Sequence, residues 1–157
     1  MNRLEKVRRV VDNILIKQSN INERHCAYVH LYGVASNCSL LALKRGLNYE
    51  LCAIAGILHD IYRYKSGRDI EHARLSSLEA RKIMNEIKSF SDKEINIVCS
   101  AISKHSNKQE IDDLYDEVLK DADVLTHYLN NSNFLVEDKE KERLNMLFRE
   151  LGASDSY

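Results

Sequence analysis

The chain has 157 residues, 44% hydrophobic and 30% charged, with a formal net charge of −1. That length predicts one domain, residues 1–157, able to bury a real core. A nearly neutral chain lacks the positive field that draws proteins to nucleic-acid phosphates, so no nucleic-acid partner is expected.

No apolar run reaches the roughly 18 to 20 residues that span a bilayer, so no membrane partner is expected. The opening stretch MNRLEKVRRVVDNILIKQ mixes acids and bases and has no signal-peptide apolar region. Cys26, Cys38, Cys52 and Cys99 form no C-x-x-C pair and no zinc-ribbon spacing. Three lie among apolar residues and read as small buried thiols. A reduced, cytoplasmic setting is the expectation.

There is no proline and there are only five glycines, with no linker-like, low-complexity or repeated stretch. Apolar residues recur at three- and four-residue spacing without strand-like alternation, which predicts an all-α bundle of about seven helices. The first runs from about Asn2 to Lys17, with Leu4, Val7, Val11, Ile14 and Leu15 on one face. The second covers roughly Glu23 to Arg45 and stops at Gly46, a common residue just past a helix end. Asn48 caps the third, Tyr49 to about Tyr62. A loop around Gly67 leads to the fourth, near Ile70 to Lys88, with Asp69 as its cap. SDKE (Ser91 to Glu94) and NKQE (Asn107 to Glu110) resemble capping boxes and start the fifth and sixth. The last, about Glu137 to Leu151, ends at Gly152.

Helical phase sorts the histidines. In the second helix His30 shares a broad face with Ala27, Val34, Cys38 and Leu41, whereas His25 points the opposite way. In the fourth, His72 heads the row Ser76, Ala80, Ile83 and Ile87. In the fifth, His105 completes the stripe Ile95, Val98, Ala101 and Ile102. The third helix is apolar nearly all round and should be central and buried. It carries His59 and Asp60 at its end, where an ionised carboxylate is costly unless a cation or donor compensates. One histidine on an apolar face is more often a satisfied core residue than a ligand. Four helices each aiming one inward, beside a carboxylate, make a natural divalent-metal site.

The closing carboxylate is sought in LKDADVLTHYL (Leu119 to Leu129). Here phase leaves the choice open. Asp121 lies nearer the stripe Ile111, Leu114, Val118, Ala122 and Leu125 than Asp123 does, and both also read as a solvated face. His127, one turn beyond Asp123, reads as a supporting group or as exposed.

Together these residues resemble the HD-domain superfamily of metal-dependent phosphohydrolases. His30 stands in HLYGVA, similar to the family's opening H-x-x-x-V-A. His59 and Asp60 stand in AGILHDI, similar to its central motif, and DADVL resembles its closing Ala-Asp segment. The resemblance covers about Arg24 to Leu129 and selects Asp123. His72 in EHARLSS and His105 in AISKH match two further histidines of the members that hold two metals.

The resemblance implies that Asp60 bridges the ions, one held mainly by His30, His59 and Asp123, the other by His72 and His105. One or two divalent transition metals (Fe, Mn, Zn, Co or Ni) are implied, with Mg suited to a second position. Many relatives have His-Asp-Ile-Gly-Lys where this chain has HDIYR, so Tyr62 replaces glycine and Arg63 replaces lysine. Arg63 and Lys65 are the first candidates to meet a substrate phosphate, with Arg24, Arg68 and Lys104 behind them. The implied activity is hydrolysis of a small phosphate ester, a nucleotide foremost, by a metal-activated water. Two other readings stay open: a di-iron oxygenase, and a non-catalytic helical module that binds a nucleotide or partner. Specificity is expected from Tyr62 to Asp69 and the C-terminal tail.

Overall fold

The structure, a computed structural model, describes residues 1–130 and 136–153. They form an all-α fold of α1 (Arg3–Leu15), α2 (Ile21–Lys44), α3 (Tyr49–Leu58), α4 (Ile61–Ser66), α5 (His72–Ile87), α6 (Asp92–Lys104), α7 (Leu114–Asn130) and α8 (Asp138–Leu151).

Polar caps and a glycine stop explain most boundaries. Asn2, Asn20 and Asn48 cap α1, α2 and α3 by accepting from the first turn's N–H groups. Ser91 and Glu94 complete a reciprocal capping box at α6. Gly46 takes a left-handed φ of 69° after α2. The Leu47 N–H then returns to Ala42 O at 2.9 Å and that of Gly46 to Leu43 O at 3.4 Å, a Schellman stop.

Three expectations need correction. The predicted third helix, Tyr49 to Tyr62, is two: α3 ends at Leu58 and α4 begins at Ile61. The His59 ring Nδ1 lies 2.7 Å from Gly56 O. A continuing α-helix would give that carbonyl to the Asp60 N–H, and Asp60 instead leaves helical geometry (φ −113°, ψ 15°). NKQE does not start a helix; α7 begins at Leu114, and Ile111 and Leu114 are 87% and 69% exposed rather than part of a core stripe. The preceding loop is held from within the fold, by Lys120 Nζ on Glu110 O at 2.8 Å and Asp112 Oδ2 at 2.7 Å. The cap of α5 is Glu71, in a left-handed conformation (φ 53°), not Asp69.

The apolar α3 is central, as expected, with α1, α2, α6 and α7 packed around it. Leu51 to Leu58 are all buried. Helix α5 pairs with α6, α7 lies against α2, and α8 packs on α7. Cys38, Cys52 and Cys99 are buried thiols and Cys26 is exposed. By length and composition alone α2 is apolar enough to cross a membrane, contrary to the reading of the sequence. Its row Ala27, Leu31, Val34, Cys38 and Leu41 is buried within the fold.

The crossing of α2 and α3 is set by glycine. A Cβ on Gly56 would sit 2.8 Å from Ala35 Cα and 2.9 Å from Ala35 N, both backbone atoms that cannot swing aside. Gly56→Ala should therefore destabilise the protein by about 1–3 kcal/mol through overpacking. Urea unfolding checks this: the midpoint falls while the slope stays unchanged.

Candidate metal centre

Four helices and the α3–α4 break bring the predicted side chains together. His30 comes from the middle of α2, and His59 and Asp60 from the break. His72 opens α5, His105 follows the end of α6, and Asp123 lies within α7. His30 Nε2 is 3.0 Å from His59 Nε2, and His72 Nε2 is 3.3 Å from His105 Nε2. Asp60 sits between the two pairs. Its Oδ2 lies 3.8 Å from His30 Nε2 and 3.7 Å from His59 Nε2. Its Oδ1 lies 3.5 Å from His72 Nε2 and 3.4 Å from His105 Nε2. Asp123 Oδ1 adds to the first pair, 3.5 Å from His30 Nε2 and 3.6 Å from His59 Nε2.

A shared local device aims three of the imidazoles. His59 Nδ1 is 2.7 Å from Gly56 O, His72 Nδ1 is 3.0 Å from Asp69 O, and His105 Nδ1 is 2.7 Å from Ile102 O. Each ring reaches the carbonyl three residues earlier, at a helix boundary. A carbonyl can only accept, so Nδ1 carries a proton, and in the neutral ring Nε2 then presents a lone pair inward. That tautomer is the one a metal ligand needs.

The cluster as it stands is electrostatically incomplete. As neutral rings, His72 and His105 would face each other with two lone pairs across 3.3 Å, and the Ser106 hydroxyl, 3.1 Å from His72 Nε2, can serve only one of them. Asp60 Oδ1 and Asp123 Oδ1 are buried with no hydrogen-bond partner among the described residues. Buried charged oxygens without a donor are costly. A divalent cation beside each carboxylate would satisfy oxygens and lone pairs at once, so the donor set fits a metal.

The protonation states agree with that fit. Burial pushes the His59 imidazole down to about 3 and lowers His30 against the pull of Asp123 and Asp60. Burial alone would raise the Asp60 and Asp123 carboxyls, but the facing imidazoles, and Lys108 for Asp123, outweigh it and hold both below the ordinary value. Near neutral pH these rings are neutral and these carboxylates ionised, as ligands must be.

The predicted cations divide. Arg63 is at the rim, half-exposed, with Nη1 3.5 Å from Asp60 Oδ2 and Nε 3.3 Å from Asp69 Oδ1. Lys65 is drawn away, its Nζ 2.6 Å from Glu79 Oε1 on α5. Lys104 pairs with Asp116 at 2.7 Å and Asp112 at 3.2 Å, and Arg24 donates to Ile16 O at 3.3 Å. Asp121 and Asp123 of α7 are both buried, so neither is on a solvated face. Asp121 is taken by Arg45 and Arg143, each at 2.6 Å, which leaves Asp123 to the cluster.

His127 is one turn along from Asp123, with Nε2 3.7 Å from Asp123 Oδ1 and its ring stacked on His30 at 5.0 Å. The residue missed by the sequence is Lys108, 6% exposed, whose Nζ lies 2.6 Å from Asp123 Oδ2. Nothing in its neighbourhood in the sequence marks it, because its partner is fifteen positions away on α7.

An all-α scaffold that gathers four histidines and two aspartates around partnerless carboxylate oxygens has the make-up of a divalent-metal domain. Residues 27–127 match the family model described as HD domain, and the chain belongs to the HD-domain superfamily of metal-dependent phosphohydrolases. Its fold is similar to the crystal structure of a predicted HD superfamily hydrolase from an uncultured Thermotogales bacterium. The two are 21% identical, the match covers 92% of this chain and 88% of that one, and the TM-score is 0.60.

Metal addition should stabilise the fold. At a hundred times its Kd, a divalent ion raises the unfolding free energy by about 2.7 kcal/mol. Thermal unfolding with Mn²⁺ or Co²⁺ should show a raised midpoint that EDTA reverses. His59→Ala should respond far less.

Proposed function

We propose that the protein hydrolyses a small phosphate ester, a nucleotide foremost, at a centre of two divalent transition-metal ions. The observation that carries this reading is the division of Asp60: one carboxylate oxygen faces His30 and His59, the other His72 and His105. His30, His59 and Asp123 would hold one ion, His72 and His105 the other, with Asp60 serving both. Fe, Mn, Zn, Co or Ni suits this mixed set, and Mg suits the second position. The chemistry supplied by such ions is polarisation of a phosphoryl oxygen and acidification of a coordinated water.

The chain's own groups do the rest. The carbonyl anchors on His59, His72 and His105 keep each Nε2 in place without further reorganisation. Arg63, next to Asp60 and half-exposed, is placed to meet a substrate phosphate and offset the charge that builds on it. The Tyr64 ring lies beneath the Arg63 guanidinium, 5.8 Å away, and 6.4 Å from His30, which supports a substrate with a planar group beside its phosphate. Lys65, bound to Glu79, is not needed in this role.

The test is phosphate release from nucleoside phosphates and simple phosphate esters by protein loaded with Mn²⁺ or Co²⁺. Asp60→Asn should abolish turnover. Arg63→Ala should lower kcat/KM by about 10–100-fold, the worth of a hydrogen bond to a charged group. A fully active Asp60→Asn would overturn the proposal. So would oxygen uptake by iron-loaded protein without phosphate release, which would leave the oxygenase reading.

A further inference from the structure

Asp123 divides its oxygens as Asp60 does, but between unlike environments. Its Oδ1 faces His30 and His59, at 3.5 and 3.6 Å. Its Oδ2 accepts from Lys108 Nζ at 2.6 Å. Both residues are buried, so this is a dry, charge-assisted bond rather than a surface pair.

The backbone that carries Lys108 is held from behind. Arg143 of α8 donates from Nε and Nη2 to Lys108 O at 3.2 and 3.0 Å, and from Nη2 to Glu110 O at 3.3 Å. Its Nη1 is anchored on Glu117 at 2.7 Å and Asp121 at 2.6 Å. Helix α8 lies outside the matched residues 27–127, yet its arginine reaches the loop whose Lys108 contacts Asp123.

We propose that Lys108 is a positioning residue of the metal centre. It occupies Oδ2 so that Asp123 offers an ion only Oδ1, and Arg143 of α8 holds Lys108 in that place. The inference rests on the reading of the cluster as a metal centre. A carboxylate with both oxygens free can bind an ion through both. The ammonium forbids that here, keeps a coordination position for water or substrate, and withdraws negative charge from the ligand. Outer partners of this kind are worth about 10–100-fold in metal affinity or activity.

The experiment compares wild type, Lys108→Met, Lys108→Arg and Arg143→Lys, each saturated with Co²⁺, by visible absorption and steady-state kinetics. Freeing Oδ2 raises the number of oxygens around the ion, and Co²⁺ absorbs more weakly as its coordination number rises. Lys108→Met should therefore bind cobalt with weakened visible bands and lose about 10–100-fold in kcat. Lys108→Arg should recover most of both. Arg143→Lys keeps a cation for Asp121 and Glu117 but gives up the fork on the loop carbonyls, and should show a smaller shift in the same direction. If Lys108→Met does not fold, as judged by circular dichroism, Lys108→Leu, which also has no donor for Oδ2, carries the same comparison.

An unchanged cobalt spectrum in the Lys108 variant overturns the proposal, whether or not kcat falls. An unchanged spectrum in Arg143→Lys removes α8 from it. Wild-type protein that binds no cobalt would overturn the metal centre itself, a different and separable failure.

Discussion

Two ionised carboxylates buried beside unprotonated ring nitrogens are the constraint around which this fold is arranged. Asp60 and Asp123 are both 4% exposed, and each keeps one oxygen with no hydrogen-bond partner among the described residues. Burying such groups is among the more costly things a core can do. The rest of the chain must hold them regardless, and it does so by placing three helix boundaries at the centre, beside the faces of α2 and α7 that carry His30 and Asp123. The α3–α4 break, the start of α5 and the end of α6 each deliver a histidine whose Nδ1 is tied to a carbonyl three residues back. The ends of α3 and α6 have backbone carbonyls to spare. An imidazole that takes one of them satisfies the backbone and fixes its own tautomer in a single contact.

Around that centre the charge network is sorted by distance from it. Arg45 and Arg143 grip Asp121 from α2's end and from α8, with Glu150 and Glu117 closing the pairs. Lys120, fully buried, is spent on Glu110 O, Asp112 and Glu117. These contacts fix the loop before α7 and its junction with α8. Since Asp121 and Asp123 are two positions apart on one helix, they point to different sides. One meets the arginines and the other the imidazoles. The same helix therefore serves both the framework and the site, and is buried nearly all round from Asp116 to Thr126.

Much of this was legible from periodicity because the site lies where apolar stripes converge. His30, His72 and His105 each continue a row of core residues, so their inward direction followed from the helical repeat alone. Asp123 did not, because α7 has no single buried face for phase to report; the family resemblance chose it, and the arginines on Asp121 supply the physical reason. Lys108 was illegible. It looked like part of a capping box, and its burial depends on Asp123 and Arg143, contacts at long separation that no local pattern encodes. Lys65 misled for the converse reason: proximity to the motif in sequence does not fix direction, and two positions past Arg63 on α4 it faces Glu79 instead.

Tyr62, where many relatives have glycine, shows how the break accommodates such exchanges. Glycine is required only where φ is positive or a neighbour's backbone comes close. Tyr62 lies inside α4, and among non-glycine residues positive φ is confined to Glu71 and Lys88 within the described residues. Its N–H, one of those that a helix start leaves unpaired, donates to Ser76 Oγ at 3.2 Å. Ser76 is itself fully buried on the row that His72 begins. The backbone at position 62 thus ties α4 to α5 without calling on the side chain. What the exchange alters is the side chain next to Arg63 in the sequence, not this backbone tie.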